Sequence, residues 1–288
     1  MLGRLAGLAA ACALAGVLAA AVSPVRAEPL RVDYELYASG LNAMSFSALV
    51  DVRASGYDIQ LQGETKGMVG VLFAFEMEAR STGAVEQGRL LPDRYRTANR
   101  IRSRALRWVH MDYGAAGLER VRGRPTPAED DRDAVERAAR DATIDPVTGV
   151  FAILLEAMDG CSASVEVFDG RRLYDFTGED RGWVVLSPRD YIAYDGSAQI
   201  CRLRMQRRDG FNDEYESQGR FPEYFDIWMA EVVEGAPPVP VRVEAETSLG
   251  PLRLYLSDHS GGSAARLPAR GLIRELETAL ESSHETRE

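Results

Sequence analysis

Residues 30 to 79 read LRVDYELYASGLNAMSFSALVDVRASGYDIQLQGETKGMVGVLFAFEMEA, and apolar and polar side chains alternate along this stretch in four separate runs. In the first run, Leu30, Val32 and Tyr34 are separated by charged residues. The same period of two returns at 46–52, 57–61 and 73–79. Successive side chains on a strand point to opposite faces, so this pattern is typical of half-buried strands. The stretch therefore predicts an antiparallel meander of four strands.

Alternation continues later in the chain, at 109–113, 201–205, 239–243 and 252–256. The residues between these apolar positions are polar or charged, which predicts a sheet with one solvent-exposed face and one buried face. Between two further alternating runs, Asp169-Gly170 favours a hairpin with a type I′ turn. No fixed repeat and no Gly/Ser-rich linker divides the chain, so we expect one continuous domain.

Two segments have helical spacing instead. Asp145-Pro146 supplies an N-cap followed by proline at the first helical position, and an apolar stripe runs from Val147 to Met158. A second amphipathic helix runs from Leu272 to about residue 282. A curved sheet must fill its concave side, and the first helix is the natural plug. The expected fold class is mainly β (β-rich α+β), a curved antiparallel sheet or open half-barrel packed around one or two amphipathic helices.

Residues 1–27 have the form of a cleavable secretion signal, with Arg4 in the n-region, no charge from Leu5 to Val22, and a cleavage site after Ala27. An uncleaved anchor is the alternative, although Ala and Gly dominate the apolar run. We therefore expect a signal peptide at 1–27, a single half-barrel domain at 28–260 with an exposed loop at about 123–143, and a helix with a charged tail at 261–288. The expected location is periplasmic or secreted, and outer-membrane association stays open.

Cys161 and Cys201 are the two cysteines that remain after cleavage. In an exported chain such a pair is most simply one disulfide, here closing a loop of about 40 residues. Two buried free thiols are the alternative.

The charge and the motifs exclude several functions. Without Arg4 and Arg26 the chain has 32 basic and 44 acidic residues, a net charge of −12, which disfavours nucleic acid as a partner. Its three histidines, His110, His259 and His284, are far apart and form no zinc motif, and the alternation places His110 on the solvent side of a strand. We predict no catalytic residues, no metal and no cofactor, and expect that the protein is not an enzyme.

Two sets of residues are binding candidates. A ligand under the plugging helix would contact a set of apolar side chains that otherwise form ordinary core: Phe46, Phe73, Phe75, Met77, Phe151 and Leu155. Anionic lipid or lipopolysaccharide would contact Arg100, Arg102 and Arg104, which share a parity within a basic stripe at 94–107. The alternative for the stripe is a solvated strand face balanced by acids such as Asp93 and Asp112.

The order of several short motifs resembles a known family. These are GRLLPDRY at 88–95, Asp145-Pro146 opening an apolar helix, VFDGRRLYD at 167–175, Cys201, Ile227-Trp228 and Pro240-Val241-Arg242. Over about residues 30 to 256 the chain is similar to the bacterial envelope family called domain of unknown function 3108. The resemblance implies a half-barrel similar to periplasmic lipoprotein carriers, export, and an affinity for lipid. It supplies no catalytic residues.

Three functions follow as hypotheses. The first is a non-enzymatic envelope protein that binds an apolar or lipid-like component in the concave face of its sheet. The second is an envelope assembly or structural factor that acts through protein contacts. The third is a hydrolase of envelope polymers that uses acidic residues. The expected partners are envelope lipid, a lipoprotein or another envelope protein.

Overall fold

The computed structural model describes residues 28–102, 104–126, 129, 134–157, 160–162, 164–188, 192–211, 222–248, 250–262, 265–268 and 270–285, without the side chains of 156, 157 and 283–285. The predicted signal peptide lies outside these residues, as do Met158 and the side chain of His284. None of the described helices is both long enough and apolar enough to cross a membrane.

Within the described chain, thirteen strands form one antiparallel sheet, and this confirms the mainly β fold class. The strands are β1 (Leu30–Ala38), β2 (Leu41–Arg53), β3 (Gly56–Thr65), β4 (Phe75–Glu86), β5 (Arg89–Ile101), β6 (Arg107–Gly114), β7 (Gly117–Arg124), β8 (Ser164–Phe168), β9 (Leu173–Leu186), β10 (Gly196–Asp209), β11 (Tyr224–Ala230), β12 (Val239–Thr247) and β13 (Gly250–Gly261). Their order across the sheet is β7-β6-β5-β4-β3-β2-β1-β13-β12-β11-β10-β9-β8. The first four strands form the predicted meander, and β1 pairs with β13, so two runs of neighbouring strands join into one sheet.

The sheet is not closed into a barrel, because its edge strands β7 and β8 do not pair with each other. A connecting segment lies between them. The backbone N–H of Leu118 on β7 donates to the carbonyl of Asp141 at 2.9 Å, and that of Phe168 on β8 donates to Ile144 at 3.0 Å. Part of the segment expected to be an exposed loop therefore packs against the sheet and bonds to both edge strands. Its residues Val135 and Thr143 are buried.

Four helices complete the described structure: α1 (Gly67–Leu72), α2 (Arg137–Arg140), α3 (Pro146–Ala157) and α4 (Leu272–Glu285). The predicted plug is α3, which packs against β4, β5, β8 and β9. Its side chains Val147, Phe151 and Leu154 join the main core with the buried residues of the sheet. We call the face of the sheet that carries α3 the concave face, and the opposite face the convex face.

A disulfide joins Cys161, just beyond α3, to Cys201 on β10. The two Cα atoms are 5.8 Å apart, and both residues are fully buried. The predicted pairing is thus present, and it ties the C-terminal end of α3 to the half of the sheet far from β4 in the strand order.

The C-terminal helix α4 packs on the convex face, where the sequence predicts only solvent. Leu272, Leu276 and Leu280 form a separate buried cluster with Ala98 of β5 and Trp108 of β6. The helix therefore covers apolar side chains whose parity turns them away from the main core. The convex face is therefore only partly exposed to solvent.

The hairpin predicted from Asp169-Gly170 is present as β8 and β9, but its turn is longer than expected. Phe168 pairs with Leu173, which leaves residues 169–172 in the loop. Oδ1 of Asp169 accepts hydrogen bonds from the backbone N–H groups of Arg171, at 2.9 Å, and Arg172, at 2.7 Å. Because the aspartate side chain satisfies these amides, the turn does not need the two-residue type I′ geometry.

Candidate functional site

Apolar side chains of the concave face are covered to different degrees at the two ends of the strands. At the end away from α1, Leu30, Val50 and Ile59 have no exposed surface. Side chains of the same parity nearer α1 are only half-buried. They pack against the core and are Phe46, Leu61, Met77, Phe225, Val243 and Leu254. The concave face is therefore fully covered around Leu30, Val50 and Ile59 and only partly covered around Phe46, Leu61 and Met77, at the end nearer α1, which we call the open end.

An aromatic ring lies across the surface of the open end. The register of β2, β3 and β4 places Phe46, Gly63 and Met77 side by side. A Cβ atom on Gly63 would lie 2.7 Å from the ring of Phe46, closer than side chains approach one another. Glycine at this position thus makes room for the ring, and the ring covers backbone that would otherwise be bare.

A buried polar cluster surrounds the N-terminus of α3. Oδ1 of Asp145 accepts hydrogen bonds from the backbone N–H groups of Val147, at 3.0 Å, and Thr148, at 2.9 Å. Its Oδ2 accepts from the hydroxyls of Ser81, at 2.9 Å, and Thr148, at 2.6 Å. The hydroxyl of Tyr57 lies 2.7 Å from that of Thr148. Both carboxylate oxygens are engaged, so this cluster fixes the position of α3 on the sheet.

Burial governs the titration of this cluster. It raises the pKa of Asp145, and the hydrogen bonds from Thr148, Ser81 and Val147 act in the opposite direction. It also raises the pKa of Tyr57 above its ordinary range, with the charge of Asp145 adding to the effect. The phenol is therefore neutral at physiological pH and acts as a hydrogen-bonding hydroxyl.

The structure places the six ligand-lining candidates in three environments. Phe46, Phe75 and Met77 occupy concave-face positions toward the open end. Phe151 is buried on α3 and Leu155 is half-buried there. Phe73 lies outside the sheet, at the C-terminus of α1, and is 48% exposed. Its ring is stacked on that of Phe75, with 6.5 Å between the ring centroids. Whether these residues line a ligand stays a prediction.

The basic stripe divides where β5 ends, at Ile101. Arg100 lies on the strand and pairs with Glu275 of α4 at 2.6 Å and with Glu76 at 3.7 Å. Arg102 has a φ of 51° beyond the strand, so it does not continue the parity of Arg100. Its guanidinium donates to the backbone carbonyls of Leu72 and Val71 instead. Arg104 is exposed. Contact of these arginines with an anion stays a prediction.

His110 is buried, where the alternation predicts a solvent-facing position. It lies on β6, opposite Arg96 of β5 and Arg122 of β7 in the strand register. Its Nε2 is 2.9 Å from Oδ1 of Asp112. Burial lowers the pKa of His110, with the Asp112 hydrogen bond opposing, which favours a neutral imidazole. Within the part of the chain that the structure describes, no three His, Cys, Asp or Glu side chains are grouped as metal ligands.

The sequence interpretation missed an exposed apolar projection at the open end, which we call the apex. It consists of α1, the residue that follows α1, and Leu41 at the start of β2. Its exposed side chains are Leu41 (64%), Met68 (79%), Val71 (78%), Leu72 (71%) and Phe73 (48%). A signal was present, because residues 67–75 contain no polar side chain and break the period of two.

Two chains of solved structure are similar to this one over most of its length. A β-barrel-like protein of domain of unknown function DUF1849 from Brucella abortus is 11% identical, with a TM-score of 0.49 over 82% of this chain and 98% of that one. A putative outer membrane lipoprotein-sorting protein domain from Vibrio parahaemolyticus is 9% identical, with a TM-score of 0.23 over 86% of this chain and 91% of that one.

No curated protein matches the sequence. A family model described as a protein of unknown function, DUF3108, matches residues 33–257. This range contains β2 to β12 entirely, most of β1 and β13, and the helix α3. It therefore includes the open end, the apex and the buried cluster around Asp145, and the chain belongs to the DUF3108 family.

Proposed function

We propose that this chain is an exported, non-enzymatic protein of the cell envelope that binds an apolar or amphipathic component at the open end of its concave face. The observation that carries the proposal is the graded cover of that face, from fully buried side chains such as Ile59 to half-buried ones such as Phe46 and Met77. Half-buried apolar side chains that converge on a concave surface are the usual lining of a ligand site.

The dimensions of α3 support an opening at this end. Twelve residues of helix span about 18 Å. The thirteen residues of β2 span about 43 Å when extended. The N-terminus of α3 is fixed near Tyr57, at the start of β3 and away from α1. One helix of this length leaves part of the concave face without a helical cover.

The ligand class follows from the chemistry of the lining. The side chains that reach the open end are aliphatic, thioether or aromatic, and the rings of Phe46 and Phe75 offer flat apolar surfaces. An acyl chain would bury its surface there, while a polar headgroup would remain near the rim in water. The proposal includes no catalytic step.

A binding assay with two variants of adjacent residues tests the proposal. Leu61 points into the concave face, and Gln60 precedes it on the convex face of the same strand. We expect a fluorescent fatty acid to bind the unmodified protein and Gln60→Arg, but not Leu61→Arg, because a guanidinium in the lining would be desolvated. Thermal unfolding of all three proteins shows that they are folded.

Organic-solvent extraction of purified protein, followed by mass spectrometry, identifies any ligand acquired in the cell. A protein that is empty in repeated preparations and takes up no fluorescent fatty acid would refute the proposed function. Equal uptake by Leu61→Arg and Gln60→Arg would show that the fatty acid binds somewhere other than the open end.

A further inference from the structure

The apex is apolar, exposed and held in a fixed conformation by the rest of the protein. Thr65 accepts a hydrogen bond from the backbone N–H of Phe75 at 3.0 Å through its hydroxyl, which also donates to the carbonyl of Phe73 at 2.9 Å. The backbone N–H of Lys66 donates to the carbonyl of Ala43 at 2.9 Å, which joins the start of α1 to β2. Large apolar side chains held out into water at one place mark an interaction surface.

Several backbone groups of the apex have hydrogen-bond partners within the protein. The N–H groups of Gly70 and Phe73 donate to carbonyls within the segment, at 2.8 Å and 2.7 Å. Arg102 donates to the carbonyls of Val71 and Leu72 through its guanidinium. Its own backbone N–H donates to the carbonyl of Ala74 at 2.7 Å. These hydrogen bonds lower the cost of moving the backbone of the segment into a membrane, where unpaired polar groups are unfavourable.

Positive charges flank these apolar side chains. Lys66 immediately precedes α1, Arg102 contacts its last turn, and Arg104 follows two residues later; all three are exposed. Of the acids nearest along the chain, Glu64 pairs with Arg270 at 2.8 Å and with Lys66 at 3.4 Å, and Glu76 pairs with Arg100 at 3.7 Å, so Arg102 and Arg104 carry most of the positive charge beside α1. The whole chain has a net charge of −10, so an anionic surface would repel most of the molecule. The apex is the place where apolar contact and positive charge coincide.

We propose that the apex is a membrane-docking element that inserts Met68, Val71, Leu72 and Phe73 between the headgroups of an anionic lipid bilayer, as far as the boundary with the acyl chains. Lys66, Arg102 and Arg104 would then lie at the level of the headgroups, where amphipathic basic side chains are stabilised by anionic lipid. A single protruding turn suits a deformable surface better than a flat protein interface. This goes beyond the proposed function, because docking does not require a ligand in the concave face.

Flotation of purified protein with vesicles tests the inference. We expect binding to vesicles of phosphatidylcholine with phosphatidylglycerol, and weaker binding to phosphatidylcholine alone. The double substitution Val71→Asp with Leu72→Asp should lower partitioning about a hundredfold, since two apolar side chains no longer enter the lipid. Lys66→Gln with Arg104→Gln should reduce the preference for phosphatidylglycerol, which also weakens as salt is raised.

A matched control is present at the opposite end of the sheet. Trp183 (59% exposed) and Val185 (73% exposed) on β9 form a second exposed apolar pair near the start of β10. Trp183→Asp with Val185→Asp should bind vesicles like the unmodified protein. All these proteins share one N-terminus, so differences among them report on the apex.

Three results would overturn the inference: no flotation of the unmodified protein, equal flotation of the apex variant, or equal loss in the Trp183 and Val185 variant. Size-exclusion chromatography with light scattering separates docking from self-association. If the apex substitutions dissolve a dimer and leave vesicle binding intact, the apex is an interface between copies and the inference is wrong. Fatty acid uptake by the apex variant is expected to be unchanged, which keeps this test distinct from that of the proposed function.

Discussion

Replacement of Asp145 should have a large effect on stability, and the size of the effect depends on which atoms the new side chain retains. Asp145→Ala removes the acceptor for the backbone N–H groups of Val147 and Thr148. These amides are buried at the first turn of α3, where the helix itself offers them no partner. Each buried donor without a partner costs about 1–3 kcal/mol.

The hydroxyls of the cluster are less affected by the same change. Ser81 and Thr148 are 2.9 Å apart, and Tyr57 is 2.7 Å from Thr148, so the three hydroxyls can bond to one another when the carboxylate is gone. The two amides therefore dominate the loss. We expect Asp145→Ala to lower the free energy of unfolding by about 4 kcal/mol.

Asp145→Asn retains one oxygen that can accept from both amides, and it presents an NH₂ group to hydroxyls that can rotate to accept. We expect it to cost about 1 kcal/mol, close to the value of one net hydrogen bond. Urea unfolding followed by far-UV circular dichroism, with the disulfide oxidised, measures both changes. Asp195→Asn is the control, because Asp195 is exposed and should unfold like the unmodified protein. Equal destabilisation by Ala and Asn would refute the reasoning, because the loss would then come from the charge rather than from the amide acceptor.

Three further predictions concern His110, Gly63 and the disulfide. Burial lowers the pKa of His110 below its ordinary value of 6.5, so the unfolded chain takes up a proton at this residue before the folded protein does as the pH falls. The free energy of unfolding should therefore decrease from pH 7 to pH 5, and His110→Gln should make this decrease smaller. An unchanged slope in the variant would show that other groups cause the decrease. Gly63→Ala places a Cβ atom 2.7 Å from the ring of Phe46 and should lower the free energy of unfolding by about 1–3 kcal/mol. In a double-mutant cycle, Phe46→Leu should restore part of this loss, and strictly additive losses would contradict the explanation. Cys161→Ser with Cys201→Ser removes the disulfide, which closes a loop of about 40 residues, and should lower the free energy of unfolding by about 2–5 kcal/mol in the same urea assay. Dithiothreitol should destabilise the unmodified protein but not this variant.

The strands could be predicted from the sequence because alternation depends only on local order. Leu30, Val32 and Tyr34 lie on the concave face as their period indicates, and the same holds for Ile59 and Ala79. The N-cap and proline at the start of α3 are equally local signals, and the helix begins at Pro146. These features need no knowledge of which strands become neighbours.

What the sequence did not show depends on contacts between distant segments. Ala98 and Trp108 have the parity of the convex face, and α4, more than 160 residues further along the chain, covers them. His110 is buried although its parity is that of the convex face, and its neighbours across the strands, Arg96 and Arg122, are known only from the register. The helix α1 escaped detection because its side chains are exposed and a run as short as Met68 to Leu72 has no measurable helical period.

The basic stripe shows why a cluster of charges in a sequence does not by itself identify a binding surface. On β5, Arg94 pairs with Asp112 at 3.2 Å and Arg96 pairs with Glu277 of α4. Their charges are balanced within the fold, as in the solvated-face alternative. Beyond the end of the strand, Arg102 donates to backbone carbonyls, which neutralise no charge, so its positive charge remains available at the surface. The part of the stripe that can attract an anionic partner is therefore its last few residues, and they lie beside the apolar apex.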